Sequence, residues 1–220
     1  ANHLKEHDIP VVHELPGVGR NLQDHLQTKI NYASKRPISL EGADSLWNLL
    51  KYLVLKRGPL TSNIAEAGGF ASVSEADERP DIQLIFGPSY SINHGFDNPE
   101  GHGFWLGALC LRPESRGRIT LQSADPFDDP KVDPQYLTEE ADLQTQVEGV
   151  KLVRDILQAE PFDDYRGEMV SPDFDMQSDE QIIEHIRETS ETLYHPVGSC
   201  KMGTDDMAVV DDRLAVHGVD

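Results

Sequence analysis

Apolar positions along the chain change their period several times, and each period predicts an element. Leu46, Leu49, Leu50, Leu53 and Val54 recur at helical spacing, with Asp44 placed to cap the helix and Gly58-Pro59 placed to end it. A longer helix is expected after Thr138, its candidate cap. Glu139 and Glu140 fall in its first turn, Leu143, Val147, Val150, Val153 and Leu157 form one stripe, and Pro161 closes it. Ser178 and Gln181 stand at capping-box spacing before a third helix that should bury Ile182, Ile183 and Ile186.

Shorter apolar runs bounded by turn residues predict strands at 9–15, 29–33, 70–73, 82–86, 103–111 and 118–122. The last two flank the turn-like stretch 112–117 and read as an antiparallel pair. Strands gathered mid-chain with helices around them, rather than alternating βαβ units, predict an α+β fold: an antiparallel sheet covered by helices on one face.

Composition narrows the function classes. Apolar residues make up 38% of the 220 positions and run through the whole chain, which favours a packed globule. The formal net charge of -20 repels nucleic acid and anionic lipid rather than attracting either. Its carboxylates are spread, with Asp125, Asp128, Asp129 and Asp133 mid-chain and Asp205, Asp206, Asp211 and Asp212 later, as in a solvated surface or one adapted to salt. No apolar run reaches the roughly 18 residues of a membrane-spanning helix. The first residues lack the apolar stretch of a secretory signal, so a cytoplasmic location is expected, peripheral to a membrane in a longer parent. Two cysteines, Cys110 and Cys200, make no disulfide framework and are expected to be reduced.

Four groupings invite chemistry. Gly17-Val18-Gly19-Arg20-Asn21-Leu22 has two glycines of a dinucleotide loop but Leu22 in place of the third, and Pro16 breaks its approach, so it reads as a structural turn. His3 and His7 have chelating spacing without a third ligand nearby, and no metal site is expected. His195 and Ser199 lack the glycine-flanked elbow of a serine hydrolase. Tyr194-His195-Pro196-Val197-Gly198 sets an imidazole beside an aromatic ring and a rigid proline, a setting for proton transfer near neutral pH or for simple packing.

Five segments in order bear a family resemblance: Pro16-Gly17-Val18-Gly19-Arg20-Asn21-Leu22-Gln23-Asp24-His25, Glu66-Ala67-Gly68-Gly69-Phe70, Ser115-Arg116-Gly117-Arg118-Ile119-Thr120-Leu121, Asp133-Pro134-Gln135-Tyr136-Leu137, and the run from Tyr194 to Gly203. Together they resemble the glucose-methanol-choline (GMC) oxidoreductases. The resemblance implies an FAD-dependent enzyme that oxidises a primary alcohol to an aldehyde by hydride transfer to flavin. It implies a substrate-binding domain over 27–203, a connecting segment from the FAD domain over 1–26, and a return toward that domain over 204–220. Most of the FAD site is expected outside this chain, so the chain alone should hold the flavin poorly.

By the same resemblance His195 is the catalytic histidine, and Leu193 and Tyr194 shape the adjoining pocket. Choline-specific members carry an acidic residue where this chain has Gln27, and some carry a histidine where it has Ile85. These substrate-binding positions point to a neutral alcohol. The electron acceptor is left open. A non-catalytic small-molecule-binding domain is the alternative, and an adjoining reading frame with a Gly-x-Gly-x-x-Gly unit would separate the two.

Overall fold

The computed structural model describes residues 2–74 and 79–219. In chain order its elements are α1 (Asn2–Glu6), β1 (Arg20–Leu22), β2 (Leu26–Ser34), α2 (Leu46–Leu55), β3 (Ala67–Ala71), β4 (Ile82–Gly87), β5 (Gly103–Cys110), β6 (Gly117–Thr120), β7 (Lys131–Asp133), α3 (Glu140–Gln158), β8 (Arg166–Ser171), α4 (Asp179–Thr189) and β9 (Glu191–Thr192). They form two compact units whose sequences interleave. One unit comprises Leu26–Arg112 and Leu143–Thr192; the other comprises Ala1–His25, Pro113–Asp142 and Leu193–Asp220.

The first unit is built on an antiparallel sheet of order β3-β4-β5-β2-β8, with β9 also paired to β2. Strand alternation divides its side chains into two sets. Thr28, Ile30 and Tyr32 share a face with Phe104, Leu106 and Ala108 and with Ile82, Leu84 and Phe86, as their pairings require. Helix α3 packs on this face: Gln146 donates its Nε2 to Thr28 Oγ1 at 2.8 Å and to the Ala108 carbonyl at 2.9 Å. A mid-helix glycine costs about 0.5–1 kcal/mol against alanine, and Gly149 is there for closeness, since a Cβ would meet Ile82 Cδ1 at 2.8 Å.

Helix α4 begins at the expected capping box, with Ser178 and Gln181 each satisfying the other's backbone, and buries Ile182 and Ile186. It also buries His185, whose Nε2 lies 3.0 Å from the Lys29 carbonyl. Burial drives this imidazole's pKa below its ordinary value, partly opposed by that hydrogen bond. Helix α2 is capped by Ser45, whose side chain accepts from Asn48 N, and not by Asp44.

In the second unit a small sheet runs β1-β6-β7. Two sequence expectations fail around it. Residues 9–15 form no strand: Val12 is 98% exposed, Pro10 withdraws an N–H donor from the stretch, and Pro16 follows it directly. Strands β5 and β6 do not pair, because β5 already has β2 and β4 on its two edges and β6 has β1 and β7. The segment ahead of β6 instead bonds to the start of α3. Asp142 accepts the N–H groups of Glu114 at 2.7 Å and Ser115 at 2.8 Å, while Ser115 Oγ accepts those of Thr138 and Glu139. Ser115 thus ties down the residues just ahead of α3, and the Thr138 hydroxyl donates to the Gln135 carbonyl.

Candidate functional site

His195 lies on a loop stitched to the segment before β2. Gln23 and Val197 exchange both backbone hydrogen bonds, at 2.9 and 2.8 Å. Leu193 N donates to the His25 carbonyl at 3.0 Å, and Asn21 Nδ2 to the Gly198 carbonyl at 3.3 Å. Gly198 is required twice over: its φ is +93°, and a Cβ would fall 2.3 Å from the Asn21 carbonyl oxygen. Tyr194, at φ 61°, also takes the left-handed conformation, and its ring is exposed.

The anchor of this loop is Asp24, buried at 8% exposure. Its Oδ1 accepts the backbone N–H of His25 at 2.9 Å and that of His195 at 2.8 Å, and its Oδ2 accepts the Tyr136 hydroxyl at 2.5 Å. Charge-assisted bonds of this kind fix direction as well as distance. The two imidazoles they position, His195 exposed and His25 half-buried, meet through Nδ1 and Nδ1 at 3.3 Å, with ring planes 69° apart. Such a contact holds one proton, donated by one ring to the other. His195 Nε2, at the far side of its ring, has no partner among the described residues.

Gln27 and Ile85 belong to the other unit, on the sheet face opposite α3. Gln27 pairs with Leu109 and Ile85 with Gly107, so both share a face with Trp105, Lys29 and Asn31. The Gln27 amide lies over Gly107, where a Cβ would come within 2.5 Å of its Nε2, and the Trp105 indole lies over Gly87 in the same way. Gln27 Nε2 and Trp105 Nε1 are buried donors without a partner among the described residues. Lys29 Nζ bonds Glu191 at 2.5 Å and Ser91 at 2.8 Å, so the one ammonium on this face is neutralised. A polar cavity of about 250 Å³ opens beside this pair, lined by Lys29, Asn31, Ser91, His94, Ser171 and Glu191 among others.

The remaining sequence motifs resolve into structure. Gly17 and Gly19 are where backbones touch: a Cβ would sit 2.0 Å from the Met207 carbonyl oxygen and 2.2 Å from that of Ile119. Both glycines are thus required by close backbone packing. His3 and His7 meet edge to face at 5.0 Å, and His3 Nε2 accepts the Leu121 N–H. Among the described residues no group of three ligating side chains could hold a metal ion. Cys110 and Cys200 form no disulfide among the described residues. Sequence reasoning singled out His195 but gave no role to Asp24, His25 or Tyr136, which the structure places around it. Only the Asp-His dipeptide of 24–25 offered a signal.

Residues 113–220 match the family model described as GMC oxidoreductase. Over its whole length the chain is 45% identical to an "Oxygen-dependent choline dehydrogenase" of Pseudomonas savastanoi pv. phaseolicola and 42% identical to an "Alcohol dehydrogenase [acceptor]" of Pseudomonas putida. It covers 39% and 41% of those proteins, so it spans about two fifths of their length. Among solved structures it resembles pyridoxine 4-oxidase from Mesorbium loti, with TM-score 0.82 and 23% identity, covering 100% of this chain and 40% of that one. A formate oxidase variant from Aspergillus oryzae RIB40 gives TM-score 0.87 and 23% identity, covering 99% and 44%. These structural likenesses carry the fold: antiparallel sheet and helices in the same arrangement.

Proposed function

The chain belongs to the GMC oxidoreductases, and from that premise we propose that it is the substrate-binding part, over 27–203, of an FAD-dependent enzyme that oxidises a neutral primary alcohol to its aldehyde. The flavin, bound chiefly by parts of the enzyme outside this chain, supplies the acceptor for the hydride leaving the carbinol carbon. This chain supplies the base. In the tautomer that donates Nδ1–H to His25, His195 keeps a lone pair on Nε2, and that atom takes the substrate hydroxyl proton as the carbonyl forms. Asp24 keeps the ring in place by holding the His195 and His25 N–H groups, so no reorganisation is needed when the proton moves.

Leu193 and Tyr194 are assigned to the pocket wall, and Gln27 and Ile85 to substrate selection. The sheet face that carries Gln27 offers amide and indole donors and no unpaired carboxylate among the residues described above, which favours a neutral alcohol over a quaternary ammonium. The observation that carries the reading is the Asp24-anchored imidazole pair, held in position by hydrogen bonds from three chain segments.

Anaerobic stopped-flow reduction of the flavin in the full-length enzyme tests it. His195→Ala should retain FAD and lose about 10²- to 10⁴-fold in the reduction rate with an alcohol. A near-normal rate would remove His195 as the base. Gln27→Glu should raise choline oxidation relative to a neutral alcohol, and a parent that already prefers choline would refute the assignment of Gln27.

A further inference from the structure

The polar cavity beside Lys29 lies wholly within the sheet unit. Its walls come from β2 (Lys29, Asn31), the turn after β4 (Ser91, His94), the end of β8 (Ser171) and β9 (Glu191). The turn is strained: Asn93, His94 and Gly95 are successive left-handed residues, at φ 46°, 54° and 90°. Non-glycine residues hold that conformation only where their surroundings impose it, and such residues gather at ligand sites. Here the surroundings are polar. The Asn31 amide bonds both the N–H and the carbonyl of Ser91, at 2.9 and 3.3 Å, and Glu191 accepts the His94 N–H at 2.6 Å. At about 250 Å³ the cavity is below the range of about 300–1,000 Å³ that holds whole drug-sized ligands, and it suits one end of a small molecule.

Most polar groups of the lining are already engaged. One Glu191 oxygen takes Lys29 and the other the His94 N–H, while the Ser190 and Thr189 hydroxyls meet Thr28 and the His185 carbonyl. An ammonium has three N–H donors, and Lys29 uses two of them, on Glu191 and on Ser91 Oγ. Its third N–H, the Ser91 hydroxyl proton and the Ser171 hydroxyl have no partner among the described residues. The surplus is of donors, and it calls for an oxygen acceptor. Charge narrows the class. Glu191 already balances Lys29, and the exposed Glu188 adds a second carboxylate to the lining, so an anion gains no net attraction. A cation would meet the Lys29 ammonium, which already stands 5.4 Å over the Trp105 ring and occupies its cation-binding face. An uncharged oxygen fits both conditions.

Lys29 and Gln27 alternate along β2, so they share a face and stand about 7 Å apart along the strand. We propose, resting on the reading above that Gln27 selects the alcohol, that this cavity receives the remote end of the substrate and prefers one bearing a second, uncharged oxygen, as in a diol. Anaerobic flavin reduction in the full-length enzyme tests it with two alcohols: hexanediol hydroxylated at both ends, and 1-heptanol, which has a methyl in place of the second hydroxyl. The second-order rate constant should favour the diol by about tenfold or more. Ser91→Ala with Ser171→Ala should bring that ratio to within about twofold of one. Lys29→Met with Glu191→Gln, which removes both charges together, should do the same. A variant that is merely loosened slows both alcohols alike and leaves the ratio standing, so the ratio reports recognition. Equal rates for the two alcohols in the unmodified enzyme would overturn the proposal while leaving alcohol oxidation intact. So would a ratio that survives both variants, or a preference for hydroxyhexanoate, with a carboxylate at its far end, over the diol. Should neither alcohol reduce the flavin, the reading of the reaction fails, and calorimetric titration with hexanediol decides the cavity separately. Binding lost in Ser91→Ala with Ser171→Ala would support it, and a cavity that holds water only would refute it.

Discussion

In the unit of the six-stranded sheet, Ile30, Ile82, Leu109, Val147 and Val153 are at most 1% exposed, and the elements are held by apolar contact between sheet and helix. In the unit that carries His195, the loop that matters is held by a carboxylate: Asp24 binds two backbone N–H groups and a tyrosine hydroxyl. Apolar packing is strong and without direction, and a core can shift by fractions of an ångström and remain packed. Hydrogen bonds to an ionised group contribute less but define an angle. The first kind suits a scaffold, the second the proton transfer proposed for the His195 ring.

That contrast can be broken most forcefully at Ile82. Ile82→Ala should lower unfolding stability by about 2–5 kcal/mol in urea denaturation, because the side chain is fully buried under α3. A loss below 1 kcal/mol would mean that packing is not what holds this unit. Asp24→Asn should cost less, about 1–3 kcal/mol, yet slow flavin reduction in the full-length enzyme more than Ile82→Ala does. Equal effects on rate would erase the distinction between the two regions.

A smaller effect, confined to acid, is expected from His185. Its folded pKa lies below the ordinary value of 6.5, so the unfolded chain takes up the proton first. The stability it contributes is complete above pH 6.5 and is lost as pH falls through the folded pKa. His185→Gln should therefore flatten the acid limb of a pH–stability curve, and an unchanged limb would place the acid sensitivity elsewhere. Smallest of all is Arg36→Ala. Its ion pair with Asp164 has side chains 51% and 74% exposed, and its loss should shift stability by no more than about 0.5 kcal/mol.

Elements with a strict period were legible before any coordinates. Helices α3 and α4 and strands β2, β4 and β5 lie within a few residues of where Leu143 to Leu157, Ser178 and the apolar runs place them. Pairing was less legible, since β5 and β6 are neighbours along the chain but the edges of β5 go to β2 and β4. The pattern of α2 was plain, yet a period cannot say whether its stripe faces protein or solvent. His195 could be found through its motif. Its support could not, because hydrogen-bond direction at Asp24 leaves no trace in hydropathy. Gln27 and Ile85 prove to share a face only once strand register is known.

The stitching of the His195 loop has a consequence for biosynthesis. Asp24 and His195 are 171 residues apart, and Asn21 and Gly198 are 177 apart. At a synthesis rate of about 5–20 residues per second, the Asp24 carboxylate waits roughly 10 to 30 s for the backbone it is to bind. Closing so long a loop is entropically costly before any contact rewards it, and such long-range contacts slow folding. The sheet unit needs nothing beyond Thr192 and can assemble first. The His195 loop then closes after that sheet, and until it does Asp24 is an ordinary solvated carboxylate on a nascent chain.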